Sequence, residues 1–260
     1  MFGLSAKPPV DAEEFDWLLA CTAWLIPVLG GADAIRGQRL ILPNDFPDPT
    51  TRGHARAIEL FGQVRAFAGM AEWPCELVAG EEERSTRIAD GFALKHETRG
   101  PPLGTFGKSG GGITITYKPS LLQQPENLVA TFAHELSHYL LHAQQSLPPG
   151  GETLEEHATD LAAVMLGFGC FMANGAKSFR QFQNFGEQGW EMRASGYLSE
   201  SALVTGLALF VRLTATDPRE ASAALKDYLR KPFGQALKAI DKRLPDLWSG
   251  LASIDLDDWA

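Results

Sequence analysis

Apolar side chains recur at helical spacing in several separate stretches of this chain. Phe15, Leu18, Leu19, Ala23 and Ile26 predict a helix that ends near Pro27. A short apolar stretch, Arg39–Leu42, runs into the turn-rich PNDFPDPT. Ala57, Leu60, Phe61 and Val64 then mark one face of a helix over about Arg52–Ala68. Between residues 91 and 118 the period changes. Ile113-Thr-Ile-Thr-Tyr117 alternates branched apolar and polar residues, as a half-buried strand does, and Gly104–Phe106 reads as its partner. Lys108-Ser-Gly-Gly-Gly between them is read as a flexible hairpin connection rather than a phosphate cradle, because no Lys-Ser/Thr follows at the required spacing. Pro125 suits a first helical position, and Leu128, Val129, Phe132, Leu136 and Leu140 carry the apolar stripe of a helix running to about His142. Gln144–Gly151, with two prolines and two glycines, is a loop. A second long helix starts near Thr153. The remainder to Trp259 reads as helical, most clearly at Ser199–Leu213 and Arg219–Leu237.

This pattern divides the 260 residues into an N-terminal helical segment (1–70), a mixed core (71–180) and a C-terminal helical region (181–260). The balance of 23 Lys+Arg against 32 Asp+Glu gives a net charge of -9, which repels phosphate backbones and argues against a nucleic-acid partner. Trp17–Ala32 and Leu161–Ala176 are the longest uncharged runs. Both fall short of the roughly 20 residues that a membrane span needs, so they are expected to be buried core helices. Cys21, Cys75 and Cys170 are odd in number and widely spaced, and Met1–Glu14 lacks a signal peptide's apolar run. The expectation is a cytoplasmic protein with reduced cysteines. Cys170 itself is expected to be buried and inert.

The informative segment is Thr131-Phe-Ala-His134-Glu135-Leu-Ser-His138-Tyr-Leu140. It contains H-E-x-x-H. Residues i and i+4 of a helix share a face, so His134 and His138 can converge on one metal ion. Glu135 is turned about 100° away, where it can reach a water on the ion without ligating the ion itself. An unpaired His pair and a Glu would be costly to bury in so apolar a helix, which favours a joint role.

Two histidines leave a tetrahedral site short of a third protein ligand. Leu141 and Gln144 occupy the Gly and third-His positions of H-E-x-x-H-x-x-G-x-x-H, which excludes the metzincin pattern. His142 is about 12 Å further along the helix axis than His134, too far to share the ion; it reads as a cation at a helix C-terminus. The next helix offers Glu152, Glu155, Glu156 and His157. Glu156 has a structural rival role, because Thr153-x-x-Glu156 is also a capping box. Glu156 and Asp160 form E-x-x-x-D on one face, 18 residues beyond His138.

H-E-x-x-H followed by this E-x-x-x-D resembles the gluzincin metallopeptidases, over roughly residues 100–176. The resemblance implies an α+β, zincin-like metallopeptidase domain, mostly helical with a small sheet, carrying helical additions at both ends. It implies Zn²⁺ held by His134, His138 and Glu156, with Glu135 as general base and Asp160 accepting the N–H of a ligating imidazole. The strand Ile113–Tyr117 would by the same resemblance be an edge strand that pairs with extended substrate. The segment is also similar to ImmA/IrrE-type bacterial metallopeptidases and to uncharacterised bacterial H-E-x-x-H proteins. The usual Leu-Met-Pro ending of the ImmA/IrrE type is replaced here by Leu166-Gly-Phe-Gly-Cys-Phe-Met-Ala-Asn174. Gly167 and Gly169 are expected to permit close helix packing. Tyr197, Arg193 and His157 are candidate stabilisers of an oxyanion. The implied activity is hydrolysis of a peptide or protein substrate. A regulatory metal module with its partner surface on the C-terminal helices, a structural zinc protein and a non-peptide amide hydrolase are the rival readings.

Overall fold

The computed structural model describes residues 7–80, 104–109, 112–144, 146–183 and 197–259. The architecture is α+β and mostly helical, with one small sheet. In chain order the main elements are α1 (Ala12–Val28), α2 (Ala32–Gly37), α3 (Gly53–Phe67), β1 (Glu76–Ala79), β2 (Gly104–Ser109), β3 (Gly112–Tyr117), α4 (Pro125–His142), α5 (Glu155–Ala163), α6 (Gly169–Gln183), α7 (Glu200–Leu213), α8 (Pro218–Ala224), α9 (Asp227–Arg243) and α10 (Leu247–Ala252). One continuous buried cluster draws side chains from Val10 through to Leu251.

α4 is at the centre and packs on α3, α5, α6 and both hairpin strands. Pro125 opens it at N1, where a missing N–H costs nothing. Glu126 in its first turn and His142 in its last complement the helix dipole. Every residue from Leu128 to Ser137 is buried. The hydroxyls within this run are satisfied on the helix itself: Thr131 donates to Asn127 O at 2.9 Å and Ser137 to Ala133 O at 2.8 Å.

The sheet corrects one expectation. Its order is β1-β3-β2, so Ile113–Tyr117 is the central strand and not an edge. β3 pairs parallel with β1 (Leu77 opposite Ile115) and antiparallel with β2 (Phe106 opposite Ile115), which uses both of its hydrogen-bonding sides. β1 has only Leu77 buried, so its four residues gave no alternation to read. The hairpin connection is shorter than expected, because Lys108, Ser109 and Gly112 belong to the strands. Buried Tyr117 anchors β3 on α4 through an edge-on contact with Phe132, ring centroids 5.8 Å apart.

The apolar stretch 161–176 is buried, as expected, but it is not one straight helix. A wide π-type turn, Val164–Phe168, joins α5 to α6, and Gly167 within it has φ +98°. The carbonyls freed by this break are capped from the N-terminal segment. Gln38 Nε2 donates to Leu166 O at 2.8 Å and the Ile41 N–H to Gly167 O at 3.0 Å. Gly169 does what close packing requires: a methyl group there would meet Leu207 of α7 at 2.8 Å. The amphipathic stretch Arg219–Leu237, read as one helix, is also broken. Leu225 and Lys226 are extended, and Asn174 of α6 caps both sides of the break, donating to Ala224 O at 2.9 Å and accepting from the Lys226 N–H at 3.0 Å.

Both ends of the described chain hold the loop between α4 and α5. Trp17 donates from Nε1 to Pro149 O at 2.8 Å in a buried bond, and Trp24 donates to Ser146 Oγ at 3.2 Å. The Gly150 N–H donates to Trp259 O at 2.8 Å.

Gly167→Ala should destabilise the protein by about 1–3 kcal/mol, because it combines a left-handed φ with a methyl driven into the Arg39 carbonyl. Urea unfolding checks this. A midpoint unchanged from wild type would mean that the turn relaxes freely.

Candidate metal centre

α4 and α5 face each other across the Gln144–Gly151 turn, and the site lies between them. The i, i+4 geometry puts His134 and His138 on the same face of α4, with ring centroids 4.6 Å apart. Glu156, in the first turn of α5, completes the group. Its Oε2 lies 3.3 Å from His134 Nε2 and 3.3 Å from His138 Nε2, and all three donor atoms fall within 4.8 Å of one another. The capping-box role of Glu156 is not filled. Thr153 instead donates its hydroxyl to Gly150 O at 3.2 Å, and α5 begins after a short 3₁₀ turn at Glu152–Leu154. Glu155 and Glu152 are exposed, and His157 packs edge-on against Trp17 at 5.9 Å instead of joining the group. His142, the last residue of α4, is also outside it.

The chemistry of these donors fits a metal ion. Glu156 is part-exposed along its stem, but Oε2 is shut off from solvent and aligned for a hydrogen bond with neither imidazole. Atoms bound at about 2.0–2.1 Å to one tetrahedral ion lie about 3.3–3.4 Å apart. The observed 3.3 Å separations match that spacing better than the roughly 2.9 Å of a good N–H···O bond.

The residues behind the donors decide which ring nitrogen is bare. Asp160 is 1% exposed and its Oδ1 lies 2.9 Å from His134 Nδ1, so the carboxylate accepts the Nδ1–H and makes Nε2 the nitrogen that an ion would bind in place of a proton. Its other oxygen accepts the Leu198 N–H at 2.8 Å, which ties the start of α7 to the centre. Tyr197, one residue earlier, lies against His134 with ring centroids 5.0 Å apart. Its proximity could not be read from the sequence, which separates the two residues by more than sixty positions. Arg193 lies outside the described residues. Thr159, which carried no sequence signal beyond its place next to Asp160, has its hydroxyl 3.3 Å from His138 Nδ1.

Glu135 is 4% exposed. Burial pushes its carboxyl upward; the two neighbouring imidazoles pull it back and Glu156 adds to the rise, leaving it above the ordinary value. Burial raises Glu156 too, but the imidazoles facing it outweigh that and hold it well below the usual carboxylate range. For His134, burial favours the neutral form, yet Asp160, Glu156 and Glu135 together lift its pKa from 6.5 to about 10 when no ion is bound. Away from the centre, burial pushes the Cys170 thiol up to about 12, in keeping with an inert core residue.

No known family model, characterised protein or solved structure matches the chain.

The chain should take up about one divalent ion, and Glu156→Ala should weaken binding sharply while Glu155→Ala leaves it nearly unchanged. Elemental analysis with chelator competition reads both; the opposite order would place the third ligand one residue earlier. The pH dependence of the ion-free protein follows from the sign of the His134 shift. Its folded pKa is raised, so the stability it contributes is fully present below pH 6.5 and is lost as pH rises through about 10. In chelator, unfolding midpoints should fall across that window, and Asp160→Asn should flatten the fall.

Proposed function

We propose that this protein is a zinc-dependent peptidase of zincin type, with the gluzincin ligand set His134, His138 and Glu156. The observation that carries the reading is Glu135. It is a buried carboxyl on the metal-binding helix, adjacent to a ligand yet outside the donor group. A centre that only braced the fold would gain nothing from it, because burying this carboxyl costs stability that the neighbouring imidazoles offset only in part.

Zinc, when bound, would supply a water of lowered pKa and a Lewis acid for the scissile carbonyl. The remaining work falls to the chain. Glu135 takes a proton from the attacking water and returns it to the leaving amine. Burial shifts its pKa upward, the direction that makes a carboxylate a better proton acceptor. His134, braced by Asp160, and His138 keep their Nε2 lone pairs inward. Among the three oxyanion candidates, Tyr197 is the one whose ring packs on a ligand, and its hydroxyl is assigned to the developing negative charge. Because Ile113–Tyr117 is central, the substrate-pairing edge passes to β2, which packs against α4 and has no outer partner among the described residues. An extended peptide would add there as a further strand. The free cysteines, two of them buried, accord with a cytoplasmic setting.

The regulatory-module reading predicts a metal requirement without turnover, and Glu135→Gln separates the two. Gln is nearly isosteric but accepts no proton at neutral pH. Zinc content and melting temperature should hold, while cleavage of a broad peptide library falls by about 10²–10⁴-fold. Wild-type activity in the Gln variant, in an assay that His134→Ala abolishes, would replace proteolysis with the regulatory reading.

A further inference from the structure

We propose that Thr159 is a positioning residue for the ion: its hydroxyl fixes the tautomer of His138 and so aims that ring's Nε2 at the metal. The inference rests on the metal-centre reading above and adds to it a residue that neither H-E-x-x-H nor E-x-x-x-D contains.

The argument is one of proton counting. Thr159 is fully buried, so no bulk water reaches its hydroxyl. That hydroxyl has a single proton, which it donates to Glu155 O at 2.9 Å, one turn back along α5. Only lone pairs remain to face His138 Nδ1, 3.3 Å away. A neutral imidazole has one N–H and one bare nitrogen. With the proton on Nδ1, the N–H meets a lone pair and Nε2 is left bare toward Glu156 Oε2. With the proton on Nε2, two lone pairs would oppose each other at Nδ1, and the N–H would occupy the direction from which an ion is bound. The hydroxyl therefore favours the metal-competent form; Glu156 Oε2, an acceptor facing Nε2, opposes it until an ion lies between them.

Thr159 and Asp160 thus form a pair. Adjacent positions on a helix are turned about 100° apart, which lets two consecutive side chains of α5 reach two histidines one turn apart on α4. Asp160 holds His134 with a charge; Thr159 holds His138 with a neutral hydroxyl. The two imidazoles are consequently unequal ligands. His134 is buried and held by a carboxylate, while the His138 side chain is 23% exposed and is steered by the weaker contact.

Thr159→Val keeps the shape and removes the hydroxyl, whereas Thr159→Ser keeps the hydroxyl and removes a methyl. Zinc affinity of the full chain, measured by chelator competition, should fall about 10–100-fold in the Val variant and return close to wild type in the Ser variant. A purely structural role for Thr159 would not predict that rescue, because Ser leaves the larger packing defect. The second readout needs no metal. Two-bond proton–nitrogen spectra of chelator-treated protein, at a pH where His138 is neutral, should show a larger share of the Nδ1–H tautomer in wild type and Ser than in Val. A tautomer share unchanged in the Val variant, or a folded Val variant that binds zinc as tightly as wild type, overturns the proposal. If the Val variant does not fold, the same two comparisons are made with Thr159→Ala. Failure of the wild type to bind zinc at all would instead strike the metal-centre reading, and the spectra would still report on Thr159.

Discussion

The structure is organised around a charge problem placed between two largely buried helices, α4 and α5. His134, Glu135 and Asp160 are each at most 4% exposed, and the Oε2 atom of Glu156 is sealed beside them. Three carboxyl groups share this space with two imidazoles. Isolated, any one of these charges would cost several kcal/mol to bury. Together they can be neutralised only by protons or by a cation. Without an ion, the surplus acid is answered by a proton on His134, whose pKa rises accordingly. A divalent ion would do the same work with two charges and would fill the space between donors that are too far apart for good hydrogen bonds.

Holding such a cluster open requires a rigid frame, and the frame is built from contacts distant in sequence. α5 must present Glu156, Thr159 and Asp160 to α4, while α6 must run on to pack against α7. The left-handed Gly167 between them permits both directions, at the cost of freeing carbonyls that Gln38 and Ile41 then cap. Asp160 extends the frame by holding the Leu198 amide, so the oxygen pair that orients a ligand also sets where Tyr197 sits. The α4–α5 loop is pinned by Trp17 near one end of the chain and by Trp259 near the other.

What was legible in the sequence follows from the range of the interactions. His134, Glu135 and His138 are related by the geometry of one helix turn, so their spacing carried their placement. Glu156 and Asp160 needed two helices to face each other; their register was readable because Glu156 and Asp160 also share one helical face. The competing capping role could not be settled locally, since it turned on whether Thr153 would accept from the backbone or donate to Gly150. Strand order was beyond reach for the same reason. β3 alternates as an edge strand would, and its second neighbour, β1, has one buried residue in four. The helix breaks at Gly167 and at Leu225–Lys226 were hidden because their caps, Gln38 and Asn174, are far away in the chain and ordinary in composition.

The contrast between Glu135 and its neighbours bears on function more than the donor set does. Each other ionisable group in the cluster has a partner that lowers the cost of its burial: Asp160 has an imidazole and a backbone amide, Glu156 has two imidazoles, and His134 has two carboxylates. Glu135 is pushed the other way, toward its neutral form, by burial and by Glu156. A group so placed contributes little to stability, and the upward direction of its pKa is the one that the proposed general-base role calls for. The same burial that makes Glu135 expensive for the fold is therefore the observation on which the proposed proton-transfer role rests, since a centre that only braced the helices would be more stable without that carboxyl.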